Sequence, residues 1–293
     1  MVTDSLRRRC KVLAGAVIRW AAWVAGKGLP LSARQALVRF VGRHNLPGGF
    51  EFAMGMLDDL RRRNPDALHR FLWSNHLAYA VTYEIPKRFG ASNLNPSRRI
   101  LFNDMVGHLR SRGLDPCKDI RSIFDVGCSM GYLLRHLETE VFLSATTLHG
   151  LDIDTYSIEA GTAHLSSVQS KVKLFAADMT HTDRIMGNQT YDVVLCCGVL
   201  MYVNDDTAEQ VVRTMFSHAG HLVAMVCLAP PESQIALGRS VTRASDGAFI
   251  HDMDGLIQLA GGQVISKRWI GASGSVANPS YAILAEPPRQ PGL

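Results

Sequence analysis

Asp125, Gly127, Ser129 and Gly131 alternate with single residues at the end of a short apolar run, Ile123 to Val126. A run of that length reads as a buried parallel strand. From Tyr132 the apolar spacing becomes helical, with Leu133, Leu134 and Leu137 on one face. Strand, small-residue turn and helix start together make a nucleotide-binding corner. Glycine lets backbone approach a ligand closely, and a helix start offers free N–H donors. Asp125 disfavours a polyphosphate beside it and favours a ligand with a positive centre.

Spacing narrows the ligand. A dinucleotide corner reads G-x-G-x-x-G; here the last glycine comes one residue early and serine holds the middle place. Further segments fall into series with this corner. Thr147 to Ile153 is strand-like and ends in Asp152, 21 residues after Gly131. A carboxylate there suits a ribose, because it accepts from two vicinal hydroxyls at once. Asp154 is placed to cap the helix expected over 155–167. Lys171 to Ala176 reads as a third strand, followed by Asp178 and Met179, and Tyr191 to Cys197 as a fourth, followed by Gly198-Val199-Leu200-Met201-Tyr202.

The series Asp125-x-Gly127-x-Ser129-x-Gly131, Asp152, Asp178 and Cys197-Gly198 resembles the ordered motifs of class I S-adenosylmethionine-dependent methyltransferases. The resemblance covers about residues 97–286. It implies a cofactor site of Asp125, Gly127, Cys128, Ser129 and Gly131 for the methionine part, with Asp152 and Ile153 at the ribose. Asp178 would accept from the adenine amino group, with Met179 on the ring and Cys197 and Gly198 closing the fourth-strand side. It implies S-adenosyl-L-methionine as cofactor and no metal. Tyr202, just past the fourth strand, is the candidate to orient an acceptor; Glu84, His181 and His251 are weaker candidates for a base. A side chain at Gly131 is expected to intrude on the cofactor, so Gly131→Leu should abolish binding and spare the fold.

The elements needed to hold these residues alternate along the chain. The expected fold is α/β: a Rossmann-like, seven-stranded, mostly parallel sheet whose last strand is reversed, with an N-terminal helical extension. Helices are expected over 205–219 and 252–260, with strands over 221–228, 263–270 and 280–285. Residues 1–96 form the extension, 97–286 the methyltransferase domain and 287–293 a tail. In the extension, helices are expected over 5–26, 31–44, 52–63 and 65–83. Pro230 opens a segment to Phe249 that reads as a substrate-side insertion.

Composition is that of an ordinary globular protein, with 47% hydrophobic and 19% charged residues. Six cysteines lie at 10, 117, 128, 196, 197 and 227, without a C-x-x-C pair or clustered histidines. A reduced, cytoplasmic protein without structural zinc is the expectation. Charge is uneven: residues 1–120 hold 20 basic and 9 acidic side chains, a balance of +11, and residues 121–293 hold 11 against 17, or −6. The basic half keeps an RNA-modifying methyltransferase in view. However, the fourth-strand segment lacks the Asn-Pro-Pro-Tyr signature of amino-methylating nucleic-acid enzymes, which favours a small-molecule or lipid-like acceptor. A non-enzymatic binding protein on the same fold is the other alternative; the intact run of acids and glycines speaks against it.

Residues 5–26 pair a basic flank with an apolar stretch that Arg19 interrupts, which reads as an amphipathic helix. Leu6, Cys10, Leu13, Val17, Trp20 and Val24 project on one face. Such a helix suits peripheral contact with an anionic membrane, but the expectation is the commoner one, that this face packs on the protein's own extension.

Overall fold

The computed structural model describes residues 2–90, 94–230, 240–271 and 279–288. Parts of the turn-rich segment 86–96, of the 230–249 insertion, of the turn around Gly274 and of the tail lie outside these described residues. Among them the strands in chain order are β1 Ser122–Val126, β2 Thr147–Asp152, β3 Val172–Ala176, β4 Tyr191–Cys197 and β5 Ala219–Leu228, then β6 Val241–Thr242, β7 Phe249–Ile250, β8 Gln263–Ile270 and β9 Ser280–Glu286. β6 and β7 form a small hairpin, and the other seven make one sheet in the order β3-β2-β1-β4-β5-β9-β8.

The five strands from β1 to β5 pair in parallel, while β9 runs antiparallel to both neighbours, β5 and β8. This is the expected Rossmann-like sheet with its last strand reversed. Its central strands are largely apolar because helices cover both faces: Ile123, Phe124, Val193, Val194, Leu195 and Cys196 are fully buried. Strand order turns back at β1, which lies between β2 and β4. In open α/β sheets a crevice opens at the carboxyl ends of strands at such a point.

Helix ends follow local chemistry. Helix Thr155–Ser167 starts where Asp154 accepts from the Ser157 amide (3.2 Å) and hydroxyl (2.8 Å). Asn204 and Asn95 likewise cap helices Asp205–His218 and Pro96–Ser111. The sequence expectation fails at 65–83: that helix ends at Ser74. The Asn75 side-chain amide donates to the Phe71 carbonyl (2.8 Å), and His76 and Ala78 take positive φ of 51° and 56°. That reversal carries Leu77, Ala78 and Ala80 into the core, whose burial offsets the local strain. Helix 52–63 is likewise two helices, Gly49–Met56 and Asp58–Arg63, separated at the fully buried Leu57.

The chain divides into two compact units, residues 1–84 with 244–247, and residues 85–243 with 248–293. Segment 85–96 thus clusters with the second unit. In the first unit, helix Val2–Gly26 packs on helix Gly49–Met56 through small residues. A Cβ on Gly55 would lie 2.1 Å from the Arg19 carbonyl oxygen and 3.0 Å from Ala22 Cβ, and one on Gly26 3.0 Å from Met56 Sδ. The packing face is therefore Gly15, Ala22 and Gly26. The apolar stripe points the other way: Leu13, Val17, Trp20 and Val24 are 66%, 64%, 64% and 43% exposed. The expectation that this stripe packs on the protein's own extension is overturned for these four; the side chains of Leu6 and Cys10 lie outside the described ones. Close backbone approach at glycine decided which face turned inward. Tyr79 and Tyr83 are aromatic packing residues of this unit, against Phe50 and Trp73.

Candidate active site

β3, β2, β1 and β4 are neighbours in the sheet, so their carboxyl ends bring the sequence-predicted residues together. Asp125 stands near the end of β1, opposite Gly150 of β2 and Leu195 of β4. The turn that follows hangs from β2: the Gly127 and Cys128 amides both donate to the Leu151 carbonyl, at 2.8 and 2.9 Å. Asp152 fastens it further. Its Oδ2 accepts from the Ser129 amide (2.8 Å) and its Oδ1 from the Asp154 amide (2.9 Å). One carboxylate thus couples the glycine turn to the end of β2.

Gly127 and Gly131 both take φ of +77°, and Ser129 sits at +51°, a region costly for any residue with a Cβ. At Gly127 a Cβ would lie 2.3 Å from Val199 Cγ2, so the loop after β4 packs directly on the glycine turn. At Gly131 the structure corrects the sequence reading. A Cβ there would meet Leu174 (2.9 Å) and Leu165 (3.1 Å), which belong to β3 and helix Thr155–Ser167. The bare Cα makes room for Leu165 and Leu174. Gly198 is the contrasting case: φ is +81° and a Cβ would meet nothing within 4 Å.

Charge in the crevice is unusual. Asp125 is 1% exposed, and neither of its carboxyl oxygens has a hydrogen-bond partner. Burial pushes its pKa up to about 7, against the pull of the Arg98 guanidinium and with a smaller push from Asp152. Burial also raises Asp152 to about 6, although the Asp154 and Ser129 amides oppose the shift. The Ser129 hydroxyl is buried without a partner too. Cys128 and Cys197 line the same place, their thiols pushed far above the usual range by burial. Ile153 follows Asp152 into the bend before helix Thr155–Ser167. Asp178 accepts from the Thr180 amide (3.0 Å) and hydroxyl (2.9 Å), which shapes the 3-10 turn holding Met179 at the end of β3.

Arg98 is the residue that sequence reasoning missed. It stands on helix Pro96–Ser111, its guanidinium carbon 5.4 Å from the Tyr132 ring centroid, and its charge acts on both Asp125 and Cys197. Cation–π stacking of this kind fixes a long side chain over an aromatic face. No local signal marks it, because it precedes Asp125 by 27 positions on a separate helix.

The candidate bases are dispersed or engaged. His251 is buried, with Nδ1 2.8 Å from Asp205 Oδ1 and Nε2 2.9 Å from the Leu200 carbonyl. Both ring nitrogens are occupied, so it clamps the loop after β4 to the start of helix Asp205–His218. His181 is exposed at a helix start, and Glu84 belongs to the other unit. Tyr202 ends the 3-10 turn Leu200–Tyr202, half-buried on the loop that His251 holds.

The Rossmann-like sheet with this corner at its crevice is matched by known proteins. A methyltransferase-domain family matches residues 123–220. Over those residues the chain carries a methyltransferase domain. In fold it is similar to magnesium protoporphyrin IX methyltransferase from Synechocystis PCC 6803 with bound S-adenosylmethionine, at 14% identity and a TM-score of 0.52, over 76% of this chain and 97% of that one. The same protein with S-adenosylhomocysteine gives a TM-score of 0.53, with 76% and 100% covered. A 1,6-didemethyltoxoflavin-N1-methyltransferase from Burkholderia thailandensis gives 0.50 at 11% identity, covering 66% and 79%. No curated protein matches the chain significantly in sequence. Among the described residues no helix is long and apolar enough to cross a membrane, and no group of side chains could hold a metal ion.

Proposed function

We propose that the chain is an S-adenosylmethionine-dependent methyltransferase acting on a small-molecule or lipid-like acceptor, and that Asp125, Gly127, Cys128, Ser129, Gly131, Asp152, Ile153, Asp178, Met179, Cys197 and Gly198 form its cofactor site. The observation that carries the site assignment is the buried carboxylate of Asp125 without a hydrogen-bond partner. A buried charge without a partner is expensive, and a cationic, hydrogen-bond-donating ligand relieves it. The unpartnered Ser129 hydroxyl and the open space at Gly198 fit the same ligand. In this reading Gly131 contributes by letting the turn sit on Leu165 and Leu174, and Asp152 keeps lone pairs for ribose hydroxyls beyond its two amide bonds.

The cofactor supplies an electrophilic methyl group on a sulfonium, whose charge is lost as the methyl leaves. The chain's own part is to align and desolvate. The carboxylate cradle fixes one reactant, and Tyr202, held through the His251 clamp, orients the other. The acceptor class is supported by the loop Gly198-Val199-Leu200-Met201-Tyr202. The neighbours named for a porphyrin and for toxoflavin are compatible with it. Unpaired cysteines at 117, 128, 196, 197 and 227 fit a cytoplasmic setting.

Two measurements test this reading. Calorimetric titration should show S-adenosylmethionine and S-adenosylhomocysteine binding in about the micromolar range, with no heat from NAD; the reverse ranking refutes the site. Label from methyl-tritiated cofactor should then pass into a small-molecule or lipid extract of lysate. Label in RNA fractions, with salt-dependent RNA retention, would decide for the RNA-modifying alternative instead.

Asp152 and Asp154 separate by mutation. Asp152→Ala should weaken cofactor binding by roughly 10- to 100-fold, the value of about 1.5–3 kcal/mol for hydrogen bonds to a charged acceptor. Asp154→Ala should leave affinity nearly unchanged and cost about 1 kcal/mol of stability through the lost helix cap. Titration and urea melts of both variants check this. A larger affinity loss at Asp154 would move the ribose site along β2 by two residues.

A further inference from the structure

We propose that the N-terminal unit docks on anionic lipid bilayers, through the outward stripe of helix Val2–Gly26 and a basic cavity at that helix's C-terminal end. The stripe Leu13, Val17, Trp20 and Val24 is apolar, regularly spaced and exposed. It is exposed because the opposite, small-residue face is the one that packs inward. Trp20 and Trp23 carry the amphipathic rings favoured at a membrane–water interface.

A second observation, made of different residues, points to the same partner. A cavity of about 350 Å³ opens where Trp23, Gly26 and Lys27 end the helix, and its charged lining is Lys27, Arg34, Arg62 and Arg63 against Asp58 and Asp59. Arg34 is held by both oxygens of Asp59, and Arg62 by Asp58 at 2.8 Å. Lys27 lies with Nζ 3.6 Å from the Trp23 ring centroid. Four basic and two acidic side chains leave a surplus of positive charge suited to a phosphate headgroup. Residues 1–84 as a whole hold 13 basic and 6 acidic side chains, with Arg7, Arg8, Arg9 and Lys11 in the same helix as the stripe.

Charge also decides between occupants. A second copy of this chain would bring two such basic surfaces together, whereas an anionic leaflet attracts them. Since no described helix can span the bilayer, contact is in the plane of the surface, with the stripe in the headgroup region. This is independent of the acceptor and of the cofactor site.

The test uses the full chain and vesicles of phosphatidylcholine with about one-third phosphatidylglycerol, against phosphatidylcholine alone, at about 0.1 M and about 0.5 M salt. The chain should sediment with the anionic vesicles at low salt and stay in solution with the neutral ones. Trp20→Gln with Val17→Gln should lower the partition coefficient by about tenfold or more, through lost apolar burial. Lys27→Glu with Arg63→Glu should lower it by roughly 30-fold, on the order of fivefold for each basic group removed. Both double variants should keep the parent's melting temperature and cofactor affinity. The proposal is overturned if the parent ignores anionic vesicles, or if both variants bind as the parent does. It is equally overturned if the parent elutes as a dimer that Trp20→Gln with Val17→Gln disperses, without vesicle binding.

Discussion

Replacing Asp125 by asparagine is expected to raise the melting temperature above pH 7 while removing cofactor binding. Asp125 is fully buried, and its pKa is pushed up to about 7 from an ordinary 3.8. For an acid raised in the folded state, the cost of ionisation is fully present above about pH 7. It shrinks as pH falls toward 3.8, because the native state takes up the proton first. That cost is on the order of 4 kcal/mol. A buried asparagine amide gives back about 1–3 kcal/mol as an incompletely bonded polar group. The net gain is a few kcal/mol at pH 8, or several degrees, fading as the pH drops. Parent cofactor affinity should meanwhile fall about tenfold per pH unit below 7, because a cationic ligand binds the ionised carboxylate. Thermal melts and titrations between about pH 5.5 and 8.5 check both halves. A variant that melts lower at pH 8 and still binds would remove Asp125 from the site.

Gly131→Leu is expected to destabilise the fold, not merely empty the site. The positive φ costs about 1–2 kcal/mol for a residue with a Cβ. Forcing a side chain against Leu165 and Leu174 adds about 1–3 kcal/mol of overpacking. Gly198→Ala is the control: it shares the positive φ but its Cβ enters open space, so its cost should stop at the backbone term. Urea melts should place Gly198→Ala well above Gly131→Leu, and Gly131→Ala between them. If Gly131→Leu melts like the parent and only binding is lost, the turn faces the ligand after all.

These two glycines mark how far the sequence can be read. The period of Tyr191–Cys197 and the caps of 155–167 are local, and both elements appear residue for residue. Asp125 and Asp152 stand at the carboxyl ends of β1 and β2 and Asp178 just past β3, so their convergence was implied once the strand order was. What glycine is for is not local. Gly131 and Gly198 share a left-handed φ, and only their neighbours in space tell packing from access. Arg98 was hidden for the same reason. So was the outward turn of Leu13, Val17, Trp20 and Val24: hydrophobic pattern alone would bury them, whereas backbone approach through Gly26 and Gly55 chose the opposite face. The end of helix Pro65–Ser74 turned on an Asn75 side chain and on three residues drawn into the core, which periodicity does not register.

The place of β9 bears on how the nascent chain matures. β1 to β5 are complete by residue 228, but β5 gains its outer neighbour only when residues 280–286 arrive and slot in between it and β8. Until then Val223 to Leu228 present an apolar, unpaired edge, the kind of template on which strands of other chains add. The half of the sheet that carries the candidate site can assemble early from contacts close in sequence, while the opposite half stays open and adhesive. Misassembly should therefore begin at β5, on the far side of β4 from the cofactor crevice.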